Sequence, residues 1–505
     1  MTAREGDHRR LLGDRLALAL LLLGALVRLA FFVEVATARV DLRSRLNVDC
    51  YMYDRLARRI TGGDPWLKER YDFAGDTPDE PGHPKKSAPI QILGLERYEQ
   101  TYGPHAFFDS PGYAYFVAAV YSLFGPETYA VYFIQLALDL LACALLYLTA
   151  LRVHDRAVAR VALGLAALAS PLVFHAGFLL RDSLLTSLVV LLLYAALRVQ
   201  DARRPWLAAL ATGAVFGLAW LVKGVVIPLV PFVAFAALAR DAKGRIDARR
   251  SAGLWSALLL GAALAVLPLA ARNVAFGVPA LRMTTGDVSS LILFNSPHAG
   301  TRQLVLNLDE ARRTAALCPK LTATTALRTA IAQHPSTGAW LELVLARVAN
   351  LWVADDPWDN VRPSYLVPCL RSLAIARVRW KLVAPFALLG IVLVFARPRE
   401  RLVTLAPLFM VTAVTALGCC VTRYRLNAEP YHLLLASSGL VWLVRRARAR
   451  KARAIAAALA ALGVTFLLHD PVLPPTPERI ESYVAGTFAP GTATHLLENL
   501  RRGGW

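Results

Sequence analysis

Asp49 lies in the run Asn47-Val48-Asp49-Cys50-Tyr51-Met52-Tyr53-Asp54-Arg55-Leu56-Ala57, just beyond the first apolar stretch of the chain. A carboxylate placed where a hydrophobic helix leaves a bilayer can take a proton from a substrate that straddles membrane and water. Asp54 is the reserve for that role, and the plainer reading of Asp49 is a cap for a helix starting at Tyr51. The other reactive residue types are less well patterned. His83, His105, His175 and His298 share no ligand spacing, and His175 is the first suspect among them for holding a divalent metal. The six cysteines form no metal or redox motif. Cys318 and Cys369 fall in one outer loop and could pair, as could Cys50 with either, whereas Cys419 and Cys420 read as small buried hydrophobes. No Walker loop, paired zinc spacing, Gly-x-Ser-x-Gly elbow or dinucleotide fingerprint occurs.

The elements that must position Asp49 are membrane helices. Hydrophobic residues make up 56% of the 505, mean hydropathy is +0.45, and apolar runs of about 20 residues, enough to cross a bilayer, recur along the chain. The net charge of +20 argues for nucleic acid only if it gathers on one soluble face. Here it gathers in short loops between spans, which is the pattern of cytoplasmic loops in a membrane protein. Following that bias gives an all-α polytopic protein with about 11 spans, near 16–35, 128–151, 161–180, 183–197, 206–222, 225–238, 254–271, 380–395, 402–421, 429–444 and 454–468. The N-terminus is expected inside and the C-terminus outside an inner (plasma) membrane. One domain covers 1–469, with large outer loops at about 39–127 and 273–377, and a Pro-rich outer tail occupies 470–505. Gly112 to Phe124 is too short to span and reads as an interfacial helix; residues 338–352 also read as helical. Arg9 and Arg10, the apolar run and Ala36-Thr37-Ala38 also resemble a secretory signal. Asp139, inside a span, is expected to pair between helices.

Several stretches resemble one family in order. The run Asp49 to Pro65 is similar to the first outer loop of the family 39 GT-C glycosyltransferases, the group of protein O-mannosyltransferases and the lipid A aminoarabinose transferase, with Tyr53, Ala57 and Gly62 at matching intervals. Cys50 stands where that family carries a second acid. Ser110-Pro111-Gly112-Tyr113 resembles its interfacial helix, Arg181-Asp182 the acid after its third span, and Leu221-Val222-Lys223-Gly224 its Lys-Gly tip. Arg272-Asn273 with Phe276-Gly277, then Thr285-Gly286 and Asn295, resembles a further segment. Arg423-Tyr424-Arg425 resembles its Arg-x-Arg motif, with Ala428 and Glu429 departing from it. The resemblance covers roughly residues 10 to 445.

It implies a GT-C fold and an inverting transfer of a sugar from a polyprenyl-phosphate carrier to a hydroxyl of a lipid, protein or glycan acceptor, on the outer face. A base must take the acceptor proton while cations stabilise the departing phosphate. Asp49 is the expected base, with Asp182 to orient it or the acceptor and Asp54 behind. Asp182 reads equally well as a partner of Arg181 or of a neighbouring span. Arg423, Arg425, Arg272 and Lys223 are the expected phosphate ligands, and Tyr53, Tyr113 and Asn295 are expected around the acceptor. The resemblance fixes no cofactor and leaves room for a divalent metal. Two other classes fit a polytopic chain: a transporter or flippase of a lipid-linked sugar, which places polar residues near the midplane, and a non-catalytic scaffold for envelope assembly.

Overall fold

The computed structural model describes residues 11–37, 48–68, 88–239, 243, 245–301, 307–353, 363–374, 378, 380–395, 403–449, 476–487 and 490–502, with scattered residues between 452 and 463. Among them every regular element is helical. The helices that matter to the site are α1 (Arg15–Thr37), α2 (Val48–Thr61), α3 (Gly112–Phe124), α4 (Thr128–Val153), α5 (Arg156–Ala167), α6 (Arg181–Arg198), α7 (Pro205–Val222) and α8 (Ala248–Ala275). They are followed by α9 (Gly286–Asn295), α10 (Thr337–Val353), α11 (Trp380–Phe395), α12 (Ala406–Leu417), α13 (Thr422–Leu426), α14 (Glu429–Arg448), α15 (Pro477–Thr487) and α16 (Pro490–Arg502).

Five helices, α1, α4, α6, α7 and α8, are long and apolar enough to cross a membrane, and shorter apolar helices accompany them. The chain is a polytopic membrane protein of the all-helical class expected. Two expected spans are broken. The third stops at Ala167 and resumes as Ser170–Ala176, where Pro171 cannot donate into a continuous helix. The sixth is a 3-10 turn, Gly224–Leu229, running into Val230–Ala236, with Pro228 inside the turn. Most of the span expected at 454–468 lies outside the described residues.

Helix pairs close through small residues, as membrane packing requires where lipid is as apolar as leucine. A Cβ on Gly213 would meet the backbone of Leu258, and one on Gly261 the backbone of Leu210, so α7 and α8 touch main chain to main chain. Gly390 and Gly439 do the same for α11 and α14.

The ends of the bundle differ in charge. At one end Asp14, before α1, accepts from Arg160 Nη2 (2.9 Å), Tyr147 Oη (2.7 Å) and the Ala17 N–H (3.2 Å). Arg445 reaches Asp155 at 2.7 Å, and Arg152 pairs with Asp201. These are the basic clusters read from the sequence, and they gather as the alternation of spans requires. The C-terminus of α1, the N-termini of α4, α6 and α14, and the C-termini of α7 and α8 form the opposite end. Between the ends, Arg28 donates to Asp139 (2.9 Å) and to the carbonyls of Gly24 and Ala167 (3.0 and 3.2 Å), tying α1 to α4 and α5.

The described residues of the Pro-rich tail form two helices. Prolines open both α15 and α16, a first-turn position where the missing N–H costs nothing. Ile480, Val484, Leu496 and Leu500 are buried. Glu34 of α1 accepts from the backbone N–H groups of Arg371 and Ser372 (2.9 and 3.0 Å) and from Asn499 (3.4 Å), joining α1, the 371–374 turn and α16.

Candidate active site

Asp49 sits in the first turn of α2, where the helix dipole favours a carboxylate. Its partner comes from far along the chain: Arg423 Nη1 donates to Asp49 Oδ2 at 2.9 Å. Arg423 is carried by α13, the single turn between α12 and α14.

A second pair lies behind the first. Lys223, just past the C-terminus of α7, donates to Asp182 Oδ1 at 2.8 Å from the first turn of α6. The same ammonium sits 4.3 Å from the ring centre of Tyr424, and Asn427 Nδ2 reaches Asp182 Oδ1 at 3.5 Å. Thr186 caps the turn by donating to the Asp182 carbonyl at 2.8 Å. Asp182 therefore pairs with the neighbouring helix, not with the adjacent Arg181.

Arg181 turns instead to Asp109, its Nη1 against Oδ1, while Tyr53 Oη donates to Asp109 Oδ2 at 3.1 Å. The loop holding Asp109 reaches this position because Gly112 has no side chain: a Cβ there would stand 2.6 Å from the Leu221 carbonyl at the end of α7. Asp109 was missed as a site residue in the sequence, where it is one acid in the turn-rich stretch Asp109-Ser110-Pro111-Gly112.

Three carboxylates, Asp49, Asp109 and Asp182, thus pair one to one with three cations, Arg423, Arg181 and Lys223. Burial holds the Tyr53 phenol well above its usual range; Arg181 opposes this, and Asp109, Asp49 and Asp182 add to it. The Tyr424 phenol is also raised, by Cys419 and by burial, with Arg423 and Arg181 opposing and Asp182 adding. Tyr53 and Tyr424, on different walls, both feel Arg181 and Asp182, so the cluster is one electrostatic unit.

The remaining expected residues take other positions. Asp54 accepts from Tyr121 Oη at 2.5 Å and from Arg58, fixing α2 to α3. Arg272 is a staple: it donates to the carbonyls of Trp66 (3.1 Å), Leu67 (3.0 Å) and His105 (2.7 Å), between the rings of Phe107 and Phe276. Arg425 packs 4.2 Å over Trp380 and reaches the Leu351 carbonyl at 3.5 Å, so it does not join Arg423 at Asp49. Tyr113 donates to Gln135 at 2.7 Å and meets the Tyr53 ring edge-on at 4.8 Å. Asn295 bonds the Leu291 and Leu417 carbonyls and accepts from Trp340, locking α9 to the α12 end and to α10.

His175 is buried beside Phe174, His298 pairs with Glu310 at 3.1 Å, and His83 lies outside the described residues. No group of three His, Cys, Asp or Glu fit to hold a metal occurs among the described residues. All six cysteines are buried thiols. The pairing of Cys318 with Cys369 expected above is absent, because the two thiols sit in separate apolar clusters.

Residues 108–271 match the family model of dolichyl-phosphate-mannose-protein mannosyltransferases, which bears out the resemblance read from the motifs. The match contains Asp109, Arg181, Asp182 and Lys223. No curated protein matches the chain. Among solved structures, the oligosaccharyltransferase of Archaeoglobus fulgidus in its apo form is similar at 14% identity, over 95% of this chain and 56% of that one, with a TM-score of 0.48. ArnT from Cupriavidus metallidurans, bound to undecaprenyl phosphate, is similar at 14% identity over 95% and 87%, with a TM-score of 0.36. The chain spans just over half the length of the oligosaccharyltransferase.

Proposed function

We propose that this protein transfers a sugar from a polyprenyl-phosphate donor to an acceptor hydroxyl, with inversion, at the end of the bundle that holds Asp49, and that this end faces the outside of the membrane. The observation that carries the reading is the Asp49–Arg423 pair set against the buried Asp182–Lys223 pair, within a chain of which a third matches a mannosyltransferase family.

The acceptor hydroxyl gives its proton to Asp49 as its oxygen bonds the anomeric carbon. The bond from that carbon to the phosphate oxygen breaks with its electron pair, on the opposite face, and lipid monophosphate leaves. The phosphate gains a negative charge as Asp49 loses one. Arg423, held by Asp49 at rest, is thereby released to the phosphate, so the charge of the site is conserved through the step. Lys223 and Asp182 form the floor and keep Tyr424 and Asn427 in place. The three carboxylates fit a divalent metal poorly, since each is tied to a cation of its own; side-chain charge carries the stabilisation.

Purified protein supplied with a labelled sugar on synthetic polyprenyl phosphate tests this. Asp49→Asn is expected to lower turnover by about 10²–10⁴-fold, the range for a lost general base. Unchanged turnover would reject the base, and flipping of the lipid with no glycosidic bond formed would favour a transporter.

A further inference from the structure

We infer that Arg181 is a second ligand for the donor phosphate, held at rest by Asp109. The inference rests on reading this end of the bundle as a lipid-phosphate site. Of the three ion pairs, Lys223–Asp182 is sealed, its side chains 7% and 1% exposed. The other two are open at their edges: 15% and 17% for Arg181–Asp109, 13% and 27% for Arg423–Asp49. An entering phosphate can therefore reach Arg423 and Arg181 without first dismantling a buried pair. The other arginines expected to serve are committed, Arg272 to three backbone carbonyls and Arg425 to Trp380.

Arg181 also has the right placement and chemistry. Its guanidinium meets Asp109, whose other oxygen holds Tyr53 of the Asp49 helix, and it directly precedes Asp182, whose partner Lys223 lies against Tyr424 of the Arg423 helix, so it adjoins both walls. A guanidinium carries five N–H donors in a fork that matches phosphate oxygens. Among the described residues its hydrogen bonding goes to one oxygen of Asp109, which leaves donors for an anion. Asp109 and phosphate then compete for the same guanidinium. Tyr53, bonded to the second oxygen of Asp109, keeps that carboxylate in place when Arg181 turns away.

Competition predicts effects of opposite sign. Binding of a polyprenyl monophosphate to the full chain in nanodiscs, with the neutral polyprenol as control, is expected to weaken about tenfold or more in Arg181→Gln, the loss of a charge-assisted contact. Asp109→Asn is expected to bind as tightly as the unaltered protein or tighter. If Asp109 and Arg181 only hold the fold together, both variants weaken binding alike and both melt early, and the inference falls. It falls equally if Arg181→Gln binds within about twofold of the unaltered protein, less than one hydrogen bond is worth. Should Arg181→Gln not fold, Arg181→Lys keeps the charge without the fork; binding unchanged in that variant while Asp109→Asn weakens it has the same force. Failure of the unaltered protein to bind the monophosphate removes the lipid-phosphate reading itself, whereas unchanged turnover in Asp49→Asn removes the base and leaves Arg181 standing.

Discussion

Two positions apart on a one-turn helix, Arg423 and Arg425 point about 200° from each other, so one guanidinium meets Asp49 while the other lies over Trp380. The Arg-x-Arg spacing contained that divergence. What it did not contain was which arginine would face the acids, because that depends on how α13 is held between α12 and α14. Lys223 and Asp182 are legible for a different reason: each stands in a short run that resembles the family's, the Lys-Gly tip and the acid after the third span. Asp109 is not, since its partner Arg181 lies 72 positions away and nothing local marks the acid. The sealed pair gives a prediction at this scale. Lys223→Met strands the Asp182 carboxylate, and breaking a buried pair from one side costs about 3–5 kcal/mol. Adding Asp182→Leu removes the stranded charge and is expected to restore most of the loss in a thermal melt of the detergent-purified protein. A double variant no more stable than Lys223→Met would mean that the pair is not the buried unit its 2.8 Å contact makes it.

At the scale of elements, the spans were read correctly where periodicity and length agree, as in α4, α7 and α8, and α3 begins and ends where the short apolar run does. The third and sixth spans were read as continuous because hydropathy averages over Pro171 and Pro228, whereas the backbone does not. In the tail, Pro477 and Pro490 open α15 and α16, a role that a Pro-rich composition does not announce. What joins α1 to α4 and α5 at the basic end is Asp14. Burial raises its carboxyl, but hydrogen bonds from Arg160, Tyr147 and the Ala17 N–H outweigh that and lower it to about 2. A folded-state value below the unfolded one gives stability that is present above the unfolded value of 3.8 and is lost as the pH falls through about 2. The melting temperature should therefore fall as acid is added below about pH 4, and Asp14→Asn should melt earlier than the unaltered protein at neutral pH with a flatter acid limb. An acid limb identical in the variant would assign that stability to another carboxylate.

For the whole molecule, the separation of the two ends is the property from which the placement of the chemistry follows. Arg152, Arg160 and Arg445 gather with Asp201, Asp14 and Asp155 at one end, while Asp49, Asp109 and Asp182 with their cations lie at the other. Basic residues are retained on the cytoplasmic side during insertion, so the proposed site should open outward. Thr61 closes α2 at the site end, where Arg58 of the same turn bonds the Pro126 carbonyl before α4. Arg204 precedes α7 at the basic end, and both residues are exposed. The native cysteines are all buried, so a thiol placed at either position should be the one that reacts. In intact cells, a membrane-impermeant maleimide is expected to label Thr61→Cys at once and Arg204→Cys only after permeabilisation, with the unaltered protein unlabelled in both. The reverse pattern would place Asp49 on the cytoplasmic side, where the acceptor would have to be an intracellular hydroxyl and the donor lipid would be used before it crosses the membrane. Labelling of both in intact cells would mean that the two ends share one side, which helices of the length of α4 and α8 do not permit.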